Sequence, residues 1–152
     1  SIISGRNSHY LIGEQVISAP IIKDINIETI PTGYILIDGG SGSMVQVMSG
    51  TTPIPMNRID ALIAHALAGQ YLGMSLIYLE AGSGAKNPVS DNIIQSLKKA
   101  IDIPLIVGGG LRDPDVVYSK VNSGASIIVT GTITEENSSI MKEIANVVHW
   151  KD

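Results

Sequence analysis

The stretch SLIYLEAGSGA, residues 75–85, contains an apolar run that ends in a carboxylate and is followed by two glycines. A run of this length without polar alternation is typical of a strand that is buried on both faces. Three other runs have the same form, with glycine at or near their ends, and span residues 32–40, 103–110 and 126–132. Strands of this kind are typical of a parallel sheet covered by helices.

Helical patterns separate these strands along the chain. Between the strands, apolar residues recur at the spacing that places them on one face of a helix. The other predicted segments are a strand tail at 1–4, a helix at 10–22 that Pro20 is expected to break, a loop at 41–56, and helices capped by Asn57, Ser90 and Asp113. A last amphipathic helix is predicted, with Ile140, Met141, Ile144, Ala145 and Val148 on its apolar face.

The alternation of strands and helices places the chain in the α/β class. Two architectures fit it, a doubly wound open sheet and a (β/α)8 barrel. A barrel takes about 250 residues, or roughly 31 per unit, and this chain has 152 residues. We therefore predict that residues 1–152 form a single domain corresponding to the last five units of a TIM-type barrel, with the first three units absent.

Composition and charge narrow the classes of function. The net charge of −4 argues against a nucleic-acid surface, which is normally basic. The chain has no cysteine, so disulfides and thiolate chemistry are excluded. No apolar run approaches the roughly 18 residues of a membrane span. We therefore expect a cytoplasmic protein with no membrane span and no nucleic-acid partner.

Glycines collect at the carboxyl ends of the predicted strands, which form the ligand-binding edge in both architectures. In barrels, the loops after the last two strands often bind a phosphate. We predict a phosphate site in those loops, joined by the loop after residues 75–80. Its members are Ser83, Gly84, Gly109, Gly110, Gly131 and Thr132. The alternative is that these glycines only form tight turns.

Glu80 ends its predicted strand and faces the same edge, and Tyr78 points the same way because side chains alternate along a strand. The carboxylate could accept a hydrogen bond from a substrate hydroxyl or take its proton. The alternative is a structural carboxylate paired with Lys or Arg. Asp38 also lies at a strand end, where it could serve a site or cap its loop, and Arg6 lies near the same edge. Arg112 could approach an anion, and the alternative, which we favour, is an exposed residue at a helix start. The three His residues show no metal-ligand spacing.

Several segments together resemble a known family: YLEAGSGA, IPLIVGGGLRDP, GASIIVTGT, PTGYILIDGG and SGTTPIP. They are similar to segments of the geranylgeranylglyceryl phosphate synthases and of their close relatives, the heptaprenylglyceryl phosphate synthases. The resemblance covers essentially the whole chain. It implies a modified TIM barrel and a Mg²⁺-dependent prenyltransferase of archaeal lipid biosynthesis. Such an enzyme joins geranylgeranyl diphosphate to the 3-hydroxyl of sn-glycerol 1-phosphate and releases diphosphate.

The resemblance also implies which residues bind the substrates. The glycerol phosphate would lie along one continuous run, formed by Tyr78, Leu79, Glu80, Ala81, Gly82, Ser83 and Gly84. Its phosphate would lie against Gly109-Gly110 and Gly131-Thr132. Glu80 and Tyr78 are the implied catalytic residues, and Glu80 would bind or deprotonate the hydroxyl that attacks.

One departure from the family concerns the metal. The family's first three units, which carry a first-strand Lys and the Mg²⁺ ligands, are absent, so we expect no metal ligand in this chain. We expect a homo-oligomer, or association with the missing part, to cover the open sheet. The alternatives are another phosphate-binding barrel enzyme that acts on a sugar phosphate, and an inactive half-barrel.

Overall fold

The computed structural model describes residues 1–5 and 7–149. Arg6, which the sequence places at the ligand-binding edge, and residues 150–152 of the predicted domain lie outside these ranges. The strands are β1 (Thr32–Leu36), β2 (Leu76–Glu80), β3 (Leu105–Gly108) and β4 (Ile127–Val129). The helices are α1 (Glu14–Asp24), α2 (Met44–Ser49), α3 (Ile59–Tyr71), α4 (Asp91–Ala100), α5 (Pro114–Ser123), α6 (Thr132–Glu136) and α7 (Ile140–Val148), with a π-helical turn at His9–Gly13. Within the described ranges, no helix is long and apolar enough to cross a membrane.

The four strands form one parallel sheet in the order β1-β2-β3-β4. Tyr34 pairs with Tyr78, and Tyr78 pairs with Ile106, so the carboxyl ends of the strands meet at one edge. The predicted strand tail at residues 1–4 is present as a single parallel bridge from Ile2 to Tyr34. The predicted α/β class and parallel sheet are confirmed.

One face of the sheet packs on helices and forms the main core. Side chains at alternate strand positions point to this face and are fully buried there: Ile35, Ile77, Leu79, Leu105 and Val107. They pack with equally buried side chains of α3 and α4, namely Leu62, Ala66, Ile93, Ile94 and Leu97. Burial of each large aliphatic side chain contributes about 1.5–3 kcal/mol. This core holds the strands, and the edge that they share, in one arrangement.

The opposite face of the sheet is only half-covered. Tyr34, Tyr78 and Ile106 are half-buried there, and the edge strand β4 exposes Ile127 and Val129. The prediction that the strands are buried on both faces is therefore correct for the helix side, and for the other side only in part, since Leu36 is buried there but Tyr34 and Tyr78 are not. The physical reason is that the main core cluster lies on the helix side.

Details of two predicted helices are wrong. The N-cap of α3 is Arg58 rather than the predicted Asn57. On α7, Met141 and Ala145 are exposed, and Ile144 is the buried residue of the predicted apolar face.

Three further predictions differ from the structure. Pro20 lies inside α1 and does not break it. The helix buries none of its side chains, so the carbonyl that the proline ring leaves unpaired can bond to water. The predicted loop at 41–56 contains α2, where Ser43 Oγ accepts a hydrogen bond from the Gln46 N–H at 3.2 Å and so caps a helix too short to show periodicity. The strand predicted over 126–132 is reduced to β4.

A charged contact joins α4 to α5. Lys120 on α5 is 6% exposed, and its ammonium lies 2.6 Å from Asp91 Oδ1 on α4. Ser119 donates a hydrogen bond to Asp91 Oδ2 at 2.5 Å. Burial acts to raise the pKa of Asp91, but the hydrogen bonds from Lys120 and Ser119 outweigh it and hold the pKa below its ordinary value. The contact therefore stabilises the fold when Asp91 is ionised.

We predict that Asp91→Asn lowers the free energy of unfolding at pH 7, because Lys120 then keeps a buried charge without an ionised partner. The expected loss is about 1–3 kcal/mol, less than for a fully buried pair because Asp91 is 40% exposed. Since the folded state lowers the pKa of Asp91, its contribution is present above the ordinary carboxyl pKa. That contribution disappears as the pH falls through the folded-state value.

Chemical denaturation of both proteins at neutral pH and at about pH 3 measures this difference. Asp60→Asn is the matched control, because it removes the exposed ion pair with Arg58 and should change stability little. Equal losses in the two variants, or a loss that does not shrink in acid, would contradict the role of Asp91.

Candidate functional site

A cavity of about 260 Å³ lies at the carboxyl edge of the sheet. Its wall is formed by residues at the strand ends and by the loops that follow the four strands. A larger cavity of about 680 Å³ lies at the opposite end of the sheet, between α1 and the start of β1. Ligands of parallel α/β proteins bind at the carboxyl ends of the strands, so the first cavity is the candidate site.

Glu80 contributes its carboxylate to the wall of this cavity. The residue is 7% exposed, and its Oε1 accepts a hydrogen bond from the Gly82 N–H at 2.8 Å. Ion pairs among the described residues involve other carboxylates, so the alternative of Glu80 as half of a structural ion pair does not apply to this part of the chain. A carboxylate held in this way can accept a hydrogen bond or a proton from a ligand in the cavity.

Tyr78 and Tyr34 flank the carboxylate, with their rings edge to face and their centroids 5.1 Å apart. Burial raises the pKa of Tyr78 far above its ordinary value, and the hydrogen bond to Glu80 and the charge of Glu80 raise it further. Burial, and then the charge of Glu80, raise the pKa of Tyr34 as well. Both hydroxyls therefore stay protonated at neutral pH, and the Tyr78 hydroxyl donates to the carboxylate.

Two glycines at the end of β3 make room for this cluster. A Cβ on Gly108 would lie 2.5 Å from Tyr78 Oη and 2.9 Å from Glu80 Oε2. A Cβ on Gly109, whose φ is +88°, would lie 2.8 Å from Glu80 Oε1 and from two backbone nitrogens of the loop after β2. Side-chain carbons do not approach other atoms so closely, so only glycine fits at these two positions. Gly109, which was predicted to bind phosphate, thus also lets the two loops pack together.

The three loops predicted to bind phosphate meet at the cavity. The residues that line it include Ser83, Gly84, Gly109, Gly110, Gly131 and Thr132. Within residues 1–5 and 7–149, the backbone N–H groups of Gly84, Gly110 and Thr132 do not donate a hydrogen bond to any group. Free N–H groups on neighbouring loops form the kind of concavity that binds anions. The predicted residues are therefore brought together, and phosphate binding itself stays a prediction.

Two residues of the predicted substrate run lie away from the cavity. Leu79 is fully buried on the helix side of the sheet, because its neighbours Tyr78 and Glu80 point to the other face. Ala81 belongs to the same core, and its N–H donates to the Gly108 carbonyl at 3.0 Å. Both side chains therefore pack inside the protein, while Gly82 lines the cavity beside Ser83 and Gly84 as predicted.

Tyr34 and Arg112 line the cavity but were not predicted as site residues. Tyr34 could have been found from the strand register, since it lies directly opposite Tyr78 on β1. Arg112 is exposed, as expected for a helix-start residue, and also contributes to the cavity wall. Asp38 acts within its own loop, where its Oδ1 accepts a hydrogen bond from the Gly40 N–H at 3.0 Å.

The described residues do not provide a metal site. Within residues 1–5 and 7–149, no three His, Asp or Glu side chains lie close enough together to hold a metal ion. Glu80 is the one carboxylate residue among those that line the cavity, and it already accepts a hydrogen bond. Mg²⁺ prefers octahedral oxygen ligands, which usually include one or two carboxylates. The donor set of the described cavity does not fit Mg²⁺.

Known proteins are similar to this chain along nearly all of its length. The PcrB family matches residues 1–148. A geranylgeranylglyceryl phosphate synthase from Chitinophaga pinensis is 45% identical over 149 residues, and one from Pyrococcus furiosus is 46% identical over 140 residues. These matches cover 98% and 92% of this chain, but 59% and 55% of the two relatives. The chain therefore spans less than two thirds of their length.

Solved structures have the same arrangement of strands and helices. The wild-type GGGPS from Thermoplasma volcanium has a TM-score of 0.89 at 34% identity and is matched over 97% of this chain and 60% of its own. The (S)-3-O-geranylgeranylglyceryl phosphate synthase from Thermoplasma acidophilum, solved with its substrate sn-glycerol-1-phosphate, has a TM-score of 0.89 at 35% identity over 97% and 59% of the two chains. Because these neighbours are TIM-barrel enzymes, the predicted barrel type is confirmed.

We predict that Gly109→Ala destabilises the protein by about 2 kcal/mol or more, because a Cβ meets the Glu80 loop and an L side chain disfavours the positive φ. Thermal unfolding measures this effect. Gly42→Ala is the matched control, since a Cβ there would meet no atom within 4 Å. If the two variants were equally stable, the close packing of the β2 and β3 loops would be contradicted.

Proposed function

Because this chain belongs to the PcrB family, we propose that it forms the acceptor site of a prenyltransferase. The proposed reaction joins geranylgeranyl diphosphate to the 3-hydroxyl of sn-glycerol 1-phosphate. The observation that carries the proposal is the placement of Glu80 and Tyr78 in a cavity whose loops present free backbone N–H groups. The names of the similar synthases, and the substrate in one solved neighbour, support the same acceptor.

Glycerol phosphate has a phosphate end and a hydroxyl end, and the cavity offers backbone N–H donors for the first and a carboxylate for the second. The phosphate would accept hydrogen bonds from the N–H groups of Gly84, Gly110 and Thr132, and the Thr132 hydroxyl adds a further donor. A glycerol hydroxyl would donate to Glu80. Since the folded loops already hold these donors in place, little reorganisation is needed when the ligand binds.

Glu80 is suited to take the proton of the attacking hydroxyl. In the proposed step, the 3-oxygen of glycerol phosphate bonds to C1 of the prenyl chain, and the bond from C1 to the diphosphate oxygen breaks. The hydroxyl proton passes to Glu80, and the electron pair of the broken bond leaves with diphosphate. Tyr78 holds the carboxylate in position through its hydrogen bond. The protein thus contributes mainly by positioning the hydroxyl and by excluding water.

Mg²⁺ would neutralise the charge that builds on the leaving diphosphate. Glu80 alone cannot supply an octahedral ligand set, because it is the one carboxylate residue among the described residues that line the cavity. We propose that the Mg²⁺ ligands belong to the part of the relatives' length that this chain does not span.

The exposed apolar surface of α1 supports the prediction of association. Val16, Ile17 and Ile21 are 62–65% exposed, and large apolar patches on a protein surface usually mark a contact with another protein or segment. A homo-oligomer, or the part of the relatives' length that this chain does not span, would cover them. Both partners stay predictions, as does the cytoplasmic location.

Turnover by a Glu80→Gln variant tests the proposed chemistry. The ether product is measured by mass spectrometry with sn-glycerol 1-phosphate, geranylgeranyl diphosphate and Mg²⁺. The protein used carries, in addition to this chain, the part of the relatives' length that this chain does not span, because the proposed Mg²⁺ ligands lie there. We expect Glu80→Gln to lower kcat by about 10²–10⁴-fold, because the amide cannot take a proton. The KM for glycerol phosphate should change far less, since the amide oxygen still accepts from the Gly82 N–H.

Glu143→Gln, which changes an exposed carboxylate on α7, is the control and should keep full activity. Wild-type turnover in Glu80→Gln would exclude Glu80 as the base. A calorimetric titration with sn-glycerol 1-phosphate tests the acceptor site separately from turnover. Preference for a sugar phosphate over glycerol phosphate in that titration would favour the other kind of phosphate-binding barrel.

A further inference from the structure

The cavity wall contains a cation that the proposed chemistry does not use. Among the described residues that line the cavity, Arg112 is the only Lys or Arg, and Glu80 is the only Asp or Glu. Arg112 follows Gly110 by two positions, so it lies on the same loop as one of the free N–H groups. A guanidinium in this position is well placed to meet a charged ligand.

The backbone on both sides of Arg112 is held in place. Leu111 is buried in a second core cluster, where it packs with Val117 and Ile144. On the other side, Asp113 caps α5, and its Oδ1 accepts a hydrogen bond from the Asp115 N–H at 2.8 Å. The two anchors restrict the path of the chain, so the Arg112 side chain starts from a defined point at the cavity rim.

The guanidinium has no competing partner in the described part of the chain. The ion pairs there join His9 to Glu14, Arg58 to Asp60, and Lys120 to Asp91. The nearest carboxylate in sequence, Asp113, is engaged as the helix cap. The five N–H donors of Arg112 are therefore available to a ligand.

The charges in the cavity indicate which ligand Arg112 would bind. A phosphate bound by neutral N–H groups alone would place its negative charge in the same small cavity as the buried Glu80 carboxylate, and like charges repel strongly where water is limited. A guanidinium offsets this repulsion, and its planar fork matches two phosphate oxygens. We propose that Arg112 binds the phosphate monoester of the acceptor. This inference rests on the proposed function.

Calorimetric titration of Arg112 variants with sn-glycerol 1-phosphate tests the assignment. We expect Arg112→Gln to weaken binding by about 10- to 100-fold and Arg112→Lys by a smaller factor, because Lys keeps the charge but loses the bidentate geometry. The wild-type affinity should also fall more steeply with salt than that of Arg112→Gln. The melting temperature should change little, since no described group forms an ion pair with the guanidinium.

Lys142→Gln is the matched control, because it removes one exposed positive charge on α7, away from the cavity. Unchanged binding in Arg112→Gln, or an equal loss in Lys142→Gln, would overturn the assignment. The same titrations with inorganic diphosphate separate the acceptor from the donor, and a loss confined to diphosphate would also overturn it. If the wild-type protein itself bound no glycerol phosphate, the proposed function would fail first, and the role of Arg112 would fail with it.

Discussion

The contact between the ends of β2 and β3 is the constraint on which the candidate site depends. The Ala81 N–H donates to the Gly108 carbonyl at 3.0 Å, and no side chain separates the two loops at this point. Because Gly108 and Gly109 have no Cβ, the side chains of Tyr78 and Glu80 can occupy the space beside them. Any larger residue there would displace the carboxylate or the loop that binds it.

The two faces of the sheet have different roles: one face stabilises the fold, and the other carries the side chains of the candidate site. On the helix side, aliphatic side chains such as Ile77 and Leu79 are fully buried and supply the hydrophobic free energy of folding. On the other side, the same strand presents Tyr78 and Glu80 to the cavity. Because alternate residues of one strand serve the two purposes, the core rigidly positions the groups that would touch a substrate.

The regular parts of the fold could be predicted because each strand is a continuous apolar run and each glycine cluster marks the same sheet edge. The shared orientation of Glu80 and Tyr78 could be predicted because side chains alternate along one strand. Tyr34 and Arg112 were missed as site residues, because their approach to the cavity depends on strand register and on the path of a loop. Neither of these is encoded in a local pattern. For the same reason α2, with six residues and one Ser43 cap, was predicted as a loop.

A crystal structure of this protein with sn-glycerol 1-phosphate would test the account of the site most directly. The account predicts phosphate density between the loops after β2, β3 and β4, and a glycerol hydroxyl within about 3.2 Å of a Glu80 carboxylate oxygen. A phosphate bound at the opposite end of the sheet, or a glycerol whose hydroxyls point away from Glu80, would contradict it.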